Sequence, residues 1–255
     1  MRGLSGTVAI VTGGGQGIGR GITLRLAEEG CKVAIFDINP DAGHETAKLA
    51  PKSAITTYTV DVGDRASVDR AVAQVEAEIG PIWVLVNNAG WDRPMPFLKT
   101  DRDLWDKIIR INLYGPLNTH HAIAPLMVEH GGGRIINIAS ILGLRQAGRV
   151  SPYAISKAGV VQMTKQLGLE LARYQIRVNG LAPGYFATEI NKGIFENEAG
   201  KALIGRIPQG RLGNLSDLDA PGLTQQLSFQ GISCFSLLFI YTYIPLSPIH
   251  GHRCC

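Results

Sequence analysis

A rhythm in this chain constrains its fold more than any single residue does. From Thr7 to about residue 182, short runs rich in β-branched residues alternate with stretches whose apolar residues recur at helical spacing. The runs are "TVAIVT" (Thr7 to Thr12), "KVAIFD" (Lys32 to Asp37), "AITTYTVDV" from Ala54, "IWVLVNNAG" from Ile82, "RIINIAS" ending in Ser140 and "IRVNGLAPG" ending in Gly184. Between them, Ile18 to Glu29 reads as a helix, and Asn39-Pro40 reads as an N-cap with proline at the first helical position. Val68, Ala71, Val72, Val75 and Ile79 mark one apolar stripe. A further helix is expected from about Leu104 to Val128, and another beginning near Tyr153. Strands that are apolar at nearly every position need cover on both faces, which a parallel sheet between helices provides. Right-handed crossovers then favour the doubly wound α/β form.

The first turn of such a sheet carries the sharpest signal. "TGGGQGIG" joins the first strand to the first helix, with Gly13, Gly17 and Gly19 in a G-x-x-x-G-x-G spacing. Glycines there let the backbone pass close to a pyrophosphate, which sits at the positive end of the helix. A glycine cluster alone marks only a tight βα turn; its place in the first βαβ unit makes it a candidate dinucleotide site. Asp37 closes the second strand, 18 residues after Gly19. It reads either as a turn residue of "FDINPD" or as an acceptor for the adenosine ribose hydroxyls. The second role would also repel a 2′-phosphate, so NAD is preferred over NADP. The expectation is a single Rossmann-like domain.

"SPYAISKAGVV" (Ser151 to Val161) opens the helix near Tyr153, and Lys157 follows one turn later on the same face. By spacing alone, the phenol and ammonium are a surface pair or a proton-handling device. The ordered motifs around them decide what the chain resembles. "TGGGQGIG", Asp61-Val62, "NNAG" at Asn87 to Gly90, Ile111-Asn112, "IAS" ending in Ser140, "YAISK" and "APG" at Ala182 to Gly184 occur in sequence. Over about residues 5 to 218 the chain resembles the short-chain dehydrogenases/reductases, specifically the 3-oxoacyl reductase and hydroxyacyl-CoA dehydrogenase-like members.

The resemblance implies roles. Tyr153 is the general acid/base, Lys157 lowers its pKa from the ordinary value near 10, and Ser140 bonds the reacting oxygen. Asn112 holds a water that links Lys157 to solvent. Gly13, Gln16, Gly17, Ile18, Gly19, Asp37, Asp61, Val62, Asn88, Ala89, Gly90, Tyr153, Lys157, Pro183, Gly184 and Thr188 contact the cofactor, Asp61 and Val62 at the adenine. The stretch from about 185 to 210 resembles the mobile substrate lid. Phe186, Ile190 and Phe195 read either as its substrate side or as the apolar face of a surface helix. Trp91, just after "NNAG", falls at the rim of the site. Trp83 reads as part of a buried strand, and His120-His121 as a satisfied or exposed pair rather than a metal site.

Elsewhere the chain is read for what it excludes. Its formal charge is +4, with basic residues scattered among acids, which gives no stripe for nucleic acid. Cys31, Cys234, Cys254 and Cys255 have no metal-like spacing, and with the N-terminus read as a strand rather than a signal peptide they point to a reduced, cytoplasmic setting. No metal is expected. The likeness ends near Asp219, and two segments follow: 1–219 as the Rossmann-like domain and 220–255 as a divergent end. Pro221 interrupts the helix expected there, and between Asp219 and Arg253 no charged residue other than His appears. "ISCFSLLFIYTYIPL" is too short for a membrane span and reads as a replacement strand or a poorly packed tail.

The resulting expectation is an NAD-dependent oxidoreductase that interconverts a secondary alcohol and a ketone; the resemblance implies a 3-oxoacyl or hydroxyacyl thioester as one substrate class, with sugars, steroids and small diols served by the same scaffold. It acts on a small molecule, and the family implies a homotetramer or dimer. The competing reading is a catalytically impaired variant whose altered end prevents assembly.

Overall fold

The computed structural model describes residues 4–51, 54–186, 195–207 and 209–218, and the two-residue strand Leu237–Leu238. Strands β1 (Val8–Thr12), β2 (Lys32–Asp37), β3 (Ile55–Thr59), β4 (Ile82–Asn87), β5 (Gly133–Ile138), β6 (Ile176–Leu181) and β7 (Leu237–Leu238) form one sheet in the order 3-2-1-4-5-6-7. Every neighbouring pair is parallel. The helices are α1 (Gly17–Glu28), α2 (Pro40–Lys48), α3 (Arg65–Glu78), α4 (Arg102–Ile109), α5 (Gly115–Glu129), α6 (Ser151–Glu170) and α7 (Glu198–Ile204). This is the expected doubly wound Rossmann architecture, in one domain.

The alternation of side chains along β1 shows how the sheet is covered. Val8 and Ile10 join one buried cluster with Val68 and Val75 of α3 and Ile123 and Met127 of α5. Ala9 and Val11 join the other with Ile22 and Leu26 of α1. Strands β1 to β6 each feed both cores, and burying one such Val, Leu or Ile contributes roughly 1.5–3 kcal/mol. Asn39 caps α2 as expected, its side chain accepting from the Asp41 and Ala42 amides, with Pro40 in the first turn.

One expected element divides. The single helix from about Leu104 to Val128 is α4 and α5 separated by a π-helical turn, Arg110–Tyr114, that contains Asn112. Pro116 supplies a reason. It stands four residues after Asn112 and has no amide hydrogen, so the Asn112 carbonyl lacks its α-helical donor.

Of the divergent end, Leu237 and Leu238 pair in parallel with Gly180 and Leu181. The rest of 219–255, on which the expectation of a replacement strand or a poorly packed tail falls, lies outside the described residues. Among the described residues no helix is long and apolar enough to cross a membrane.

Candidate active site

Because all the strands are parallel, their carboxyl ends lie along one edge of the sheet, and the order reverses between β1 and β4. Ligands of open α/β sheets bind in the crevice at that point. The turn after β1 enters it with Gly13 and Gly17 at φ +62° and +54°, a left-handed backbone that favours glycine. A Cβ on Gly13 would sit 2.9 Å from the Ala89 Cα, and one on Gly19 would overlap the Gly13 carbonyl. Gln16 gives α1 no side-chain cap and its first turn holds no acid, so the positive end of the helix is open to an anion. Asp37 lies beside this turn, Oδ2 accepting from the Gly15 amide at 3.0 Å and Oδ1 from the Asn39 amide at 3.0 Å. Each oxygen keeps acceptor capacity for a ribose hydroxyl. The cradle fits a dinucleotide.

The "NNAG" segment is fastened to the same turn. Thr12 Oγ1 accepts from the Asn88 and Ala89 amides at 3.0 Å each, and Asn88 Nδ2 donates to the carbonyls of Thr12 and Gly13 at 3.1 and 3.0 Å. Gly90 continues toward the chemistry: a Cβ there would lie 3.5 Å from Asn112 Oδ1 and 3.6 Å from Lys157 Nζ. Asp61, past the end of β3, accepts from Arg110 at 2.9 Å and from the Gly63 amide at 2.9 Å, while Val62 packs where Gly115 leaves room. Pro183 and Gly184 follow β6, and the Pro183 carbonyl accepts from the Ile141 amide at 3.0 Å. Thr188 and Ile190 lie outside the described residues. Phe186 is buried against Gly213, and Phe195 meets Tyr185 edge-on at 6.2 Å.

Four elements bring the expected catalytic residues together. Tyr153 and Lys157 come from the first two turns of α6, Ser140 from the end of β5, and Asn112 from the π-helical turn. Lys157 is buried and its Nζ donates to the Ile138 carbonyl at 2.7 Å; burial holds its pKa down to about 8. The ammonium lies 5.8 Å from the centre of the Tyr153 ring. Burial lifts the Tyr153 phenol above its ordinary value, a hydrogen bond with Ser140 opposes this, and the charge of Asp92 adds to the rise. Ser140 Oγ also accepts from the Leu142 amide at 3.1 Å. The expected lowering of the phenol by Lys157 is not seen here: the ammonium is turned to the Ile138 carbonyl, the one lowering influence is the Ser140 hydrogen bond, and desolvation dominates. The phenol is held as a neutral acid, suited to giving a proton to a carbonyl oxygen.

Asn112 is fully buried and its side chain is committed. Oδ1 accepts from the Trp91 amide at 2.8 Å, and Nδ2 donates to the Trp91 carbonyl at 2.9 Å and to Ser156 Oγ at 3.2 Å. Ser156 in turn donates to the Tyr153 carbonyl at 2.6 Å. The side chain thus acts as a brace between the rim and α6.

The chain is also similar to known proteins. The family model described as short chain dehydrogenase matches residues 7–199. The chain belongs to the short-chain dehydrogenase family. Among its relatives, the 3-oxoacyl-[acyl-carrier-protein] reductase of Thermotoga maritima is 36% identical, over 82% of this chain and 86% of its own. The 5-keto-D-gluconate 5-reductase of Escherichia coli is also 36% identical, over 84% and 86%. The solved structure of an NAD+-bound xylitol dehydrogenase superposes with a TM-score of 0.85 at 27% identity, covering 94% of this chain and 99% of the other.

Three contributors to this dehydrogenase site escaped the sequence reading. Thr12 does so because a strand-end threonine carries no signal of its own. Asn87, buried, donates to Asn137 Oδ1 at 2.9 Å and accepts from Thr119 at 2.6 Å, joining β4, β5 and α5; only its place beside Asn88 in the motif hinted at it. Asp92 is the third, and it touches the chemistry through its charge on Tyr153. Trp83 is half-buried rather than enclosed, with Arg134 5.9 Å from its ring centre. His120 is buried while His121 is exposed. Among the described residues no group of three or more His, Cys, Asp or Glu is placed to hold a metal.

Proposed function

We propose that this protein is an NAD-dependent oxidoreductase that interconverts a secondary alcohol and a ketone, with Tyr153 as the acid/base. The observation that carries this reading is the convergence of Tyr153, Ser140, Lys157 and Asn112 beside the glycine cradle, at the reversal in strand order. NAD, when bound, accepts or supplies the hydride. The protein's own part is proton handling and orientation. In reduction, the Tyr153 phenol gives its proton to the ketone oxygen while the Ser140 hydroxyl bonds the same atom. Lys157, with a pKa of about 8, can take up and release a proton near neutral pH, and Asn112 holds the water that resupplies it. Asp37 supports NAD over NADP by accepting from the ribose and repelling a 2′-phosphate.

The relatives' names divide between acyl thioester reductases and enzymes of keto-sugars and polyols, and the shared centre is the secondary alcohol or ketone. A thioester substrate would belong to the first branch, a diol or hydroxyketone to the second. We further read the protein as a cytoplasmic homo-oligomer; exposed Leu117 on α5 and Ile155 and Leu169 on α6 are apolar surface that assembly would bury. Residues 1–219 form the catalytic unit in this reading.

The test is NAD-linked turnover of a panel of alcohols and ketones with the wild type and Tyr153→Phe. Loss of the phenol should lower kcat by at least roughly 100-fold while NADH still binds. Comparable turnover by Tyr153→Phe removes the assignment, and inactivity of the wild type on every member favours the impaired-variant reading. NAD should exceed NADP in kcat/KM, with the gap narrowed by Asp37→Ser; equal efficiency with both cofactors contradicts the role of Asp37.

A further inference from the structure

Asp92 stands two residues beyond Gly90, at the mouth of the site. Its Oδ1 is buried and has no hydrogen-bond partner among the described residues. Its chain neighbours adjoin the catalytic residues: a Cβ on Gly90 would lie 3.6 Å from Lys157 Nζ, and Trp91 is bonded to Asn112; its charge in turn raises the Tyr153 phenol. A carboxylate at a strand end commonly caps a turn, and an Arg93 backbone hydrogen bond satisfies part of this one. A cap explains that bond. It leaves Oδ1 unexplained, because a buried acceptor without a donor is costly and rare.

The segment that carries Asp92 is also held still. Just before it, both backbone polar groups of Trp91 are bonded by the Asn112 side chain, and the Lys107 ammonium lies 4.2 Å from the centre of the Trp91 ring. Just after it, the Met95 amide donates to the Arg149 carbonyl at 2.7 Å. Clamped on both sides, Asp92 cannot readily turn its unpaired oxygen to solvent.

We propose that Asp92 selects the substrate: its Oδ1 accepts a hydrogen bond from a hydroxyl near the reacting carbon, as borne by a vicinal diol or an α-hydroxyketone. This rests on the alcohol–ketone reading above. An ionised carboxylate only accepts, so its complement is a donor. A 3-oxoacyl thioester presents carbonyl oxygens near the reacting carbon and would set acceptor against acceptor; a second carboxylate would be repelled. Burial, which raises the Asp92 carboxyl above its ordinary pKa, is relieved in kind when a hydroxyl donates to it.

The experiment compares kcat/KM for NAD-linked oxidation of trans-1,2-cyclohexanediol and of cyclohexanol by the full-length protein, with 3-hydroxybutyryl-CoA as a third substrate. The ratio of diol to mono-alcohol within each variant is the readout, so a general loss of folding or turnover cancels. The wild type should favour the diol by at least roughly tenfold, and Asp92→Ala should collapse that ratio by roughly ten- to a hundredfold. Asp92→Asn, which keeps one acceptor oxygen and the shape, should recover part of it and reads the same ratio if the alanine variant folds poorly. A ratio unchanged within about twofold in both variants overturns the inference and leaves the redox reading standing. So does a wild type that uses the thioester better than the diol regardless of Asp92. Absence of NAD-linked turnover with all three substrates overturns both.

Discussion

Lys157 is the residue at which function and stability oppose each other most plainly. In the unfolded chain its ammonium titrates near 10.5; in the fold, burial brings this to about 8. As pH falls through that interval the unfolded chain takes up a proton that the folded chain refuses. Stability present above about 10.5 is therefore lost by about pH 8 and stays lost at neutral pH, a cost of about 3 kcal/mol. The bond to the Ile138 carbonyl offsets part of it, and removing that bond leaves an acceptor unpaired for ~1–3 kcal/mol. The two effects are of similar size, with burial the larger. Lys157→Met, similar in shape and uncharged, should melt at the same temperature as the wild type or a few degrees higher while losing at least roughly 100-fold in turnover. A variant less stable by more than ~1 kcal/mol would show that the buried ammonium is held by more than its one carbonyl.

At the scale of elements, α1 carries two glycines after its first residue Gly17, namely Gly19 and Gly21, that a propensity argument treats alike and the packing does not. Alanine in place of a helical glycine is worth up to ~1 kcal/mol. At Gly21 the added Cβ would meet only the Leu215 side chain at 3.5 Å, an ordinary contact, so Gly21→Ala should stabilise by ~0.5–1 kcal/mol. At Gly19 it would run into the Gly13 carbonyl and lie 2.5 Å from Asn88 Nδ2. Those are backbone and a committed amide, neither able to yield without opening the cradle. Gly19→Ala should lose at least ~2 kcal/mol and bind NADH roughly tenfold more weakly or worse. Equal unfolding midpoints for the two variants would show that the turn is not held as tightly as these contacts require. The sequence made the glycine turn, the Asn39 cap and the Tyr153–Lys157 spacing legible because each is a local pattern with a local cause. It did not reveal the break at Arg110–Tyr114, since the apolar spacing runs on through it and only the missing amide of Pro116 interrupts the helix. It was silent on Asp92 too: an acid after a strand reads as a turn until its burial and its nearness to Tyr153 are seen.

Over the whole molecule, a polar seam runs through the otherwise apolar interior and ties the catalytic helix to the middle of the sheet. Thr119 of α5 donates to Asn87 of β4, Asn87 to Asn137 of β5 at 2.9 Å, Asn137 to Thr164 of α6 at 3.0 Å, and Thr164 to the Val160 carbonyl at 2.7 Å. His120 lies beside it, buried, with Nε2 3.4 Å from the Asn87 amide nitrogen. Such a seam stabilises while every member is satisfied and becomes a liability when one is charged. Burial lowers the His120 pKa from 6.5 to about 4. As pH falls below 6.5 the unfolded chain binds a proton at this histidine and the folded chain does not, so stability is lost progressively down to about pH 4. At pH 5 the loss is about 2 kcal/mol, before most carboxylates have titrated. His120→Gln, which keeps an amide near Asn87 and removes the titration, should flatten the urea midpoint between pH 6.5 and 5 relative to the wild type, even if it starts from a lower value. If both proteins lose the same stability over that interval, the acid sensitivity belongs to other groups, and charging His120 is not what disturbs the seam that anchors α6 and, with it, Tyr153.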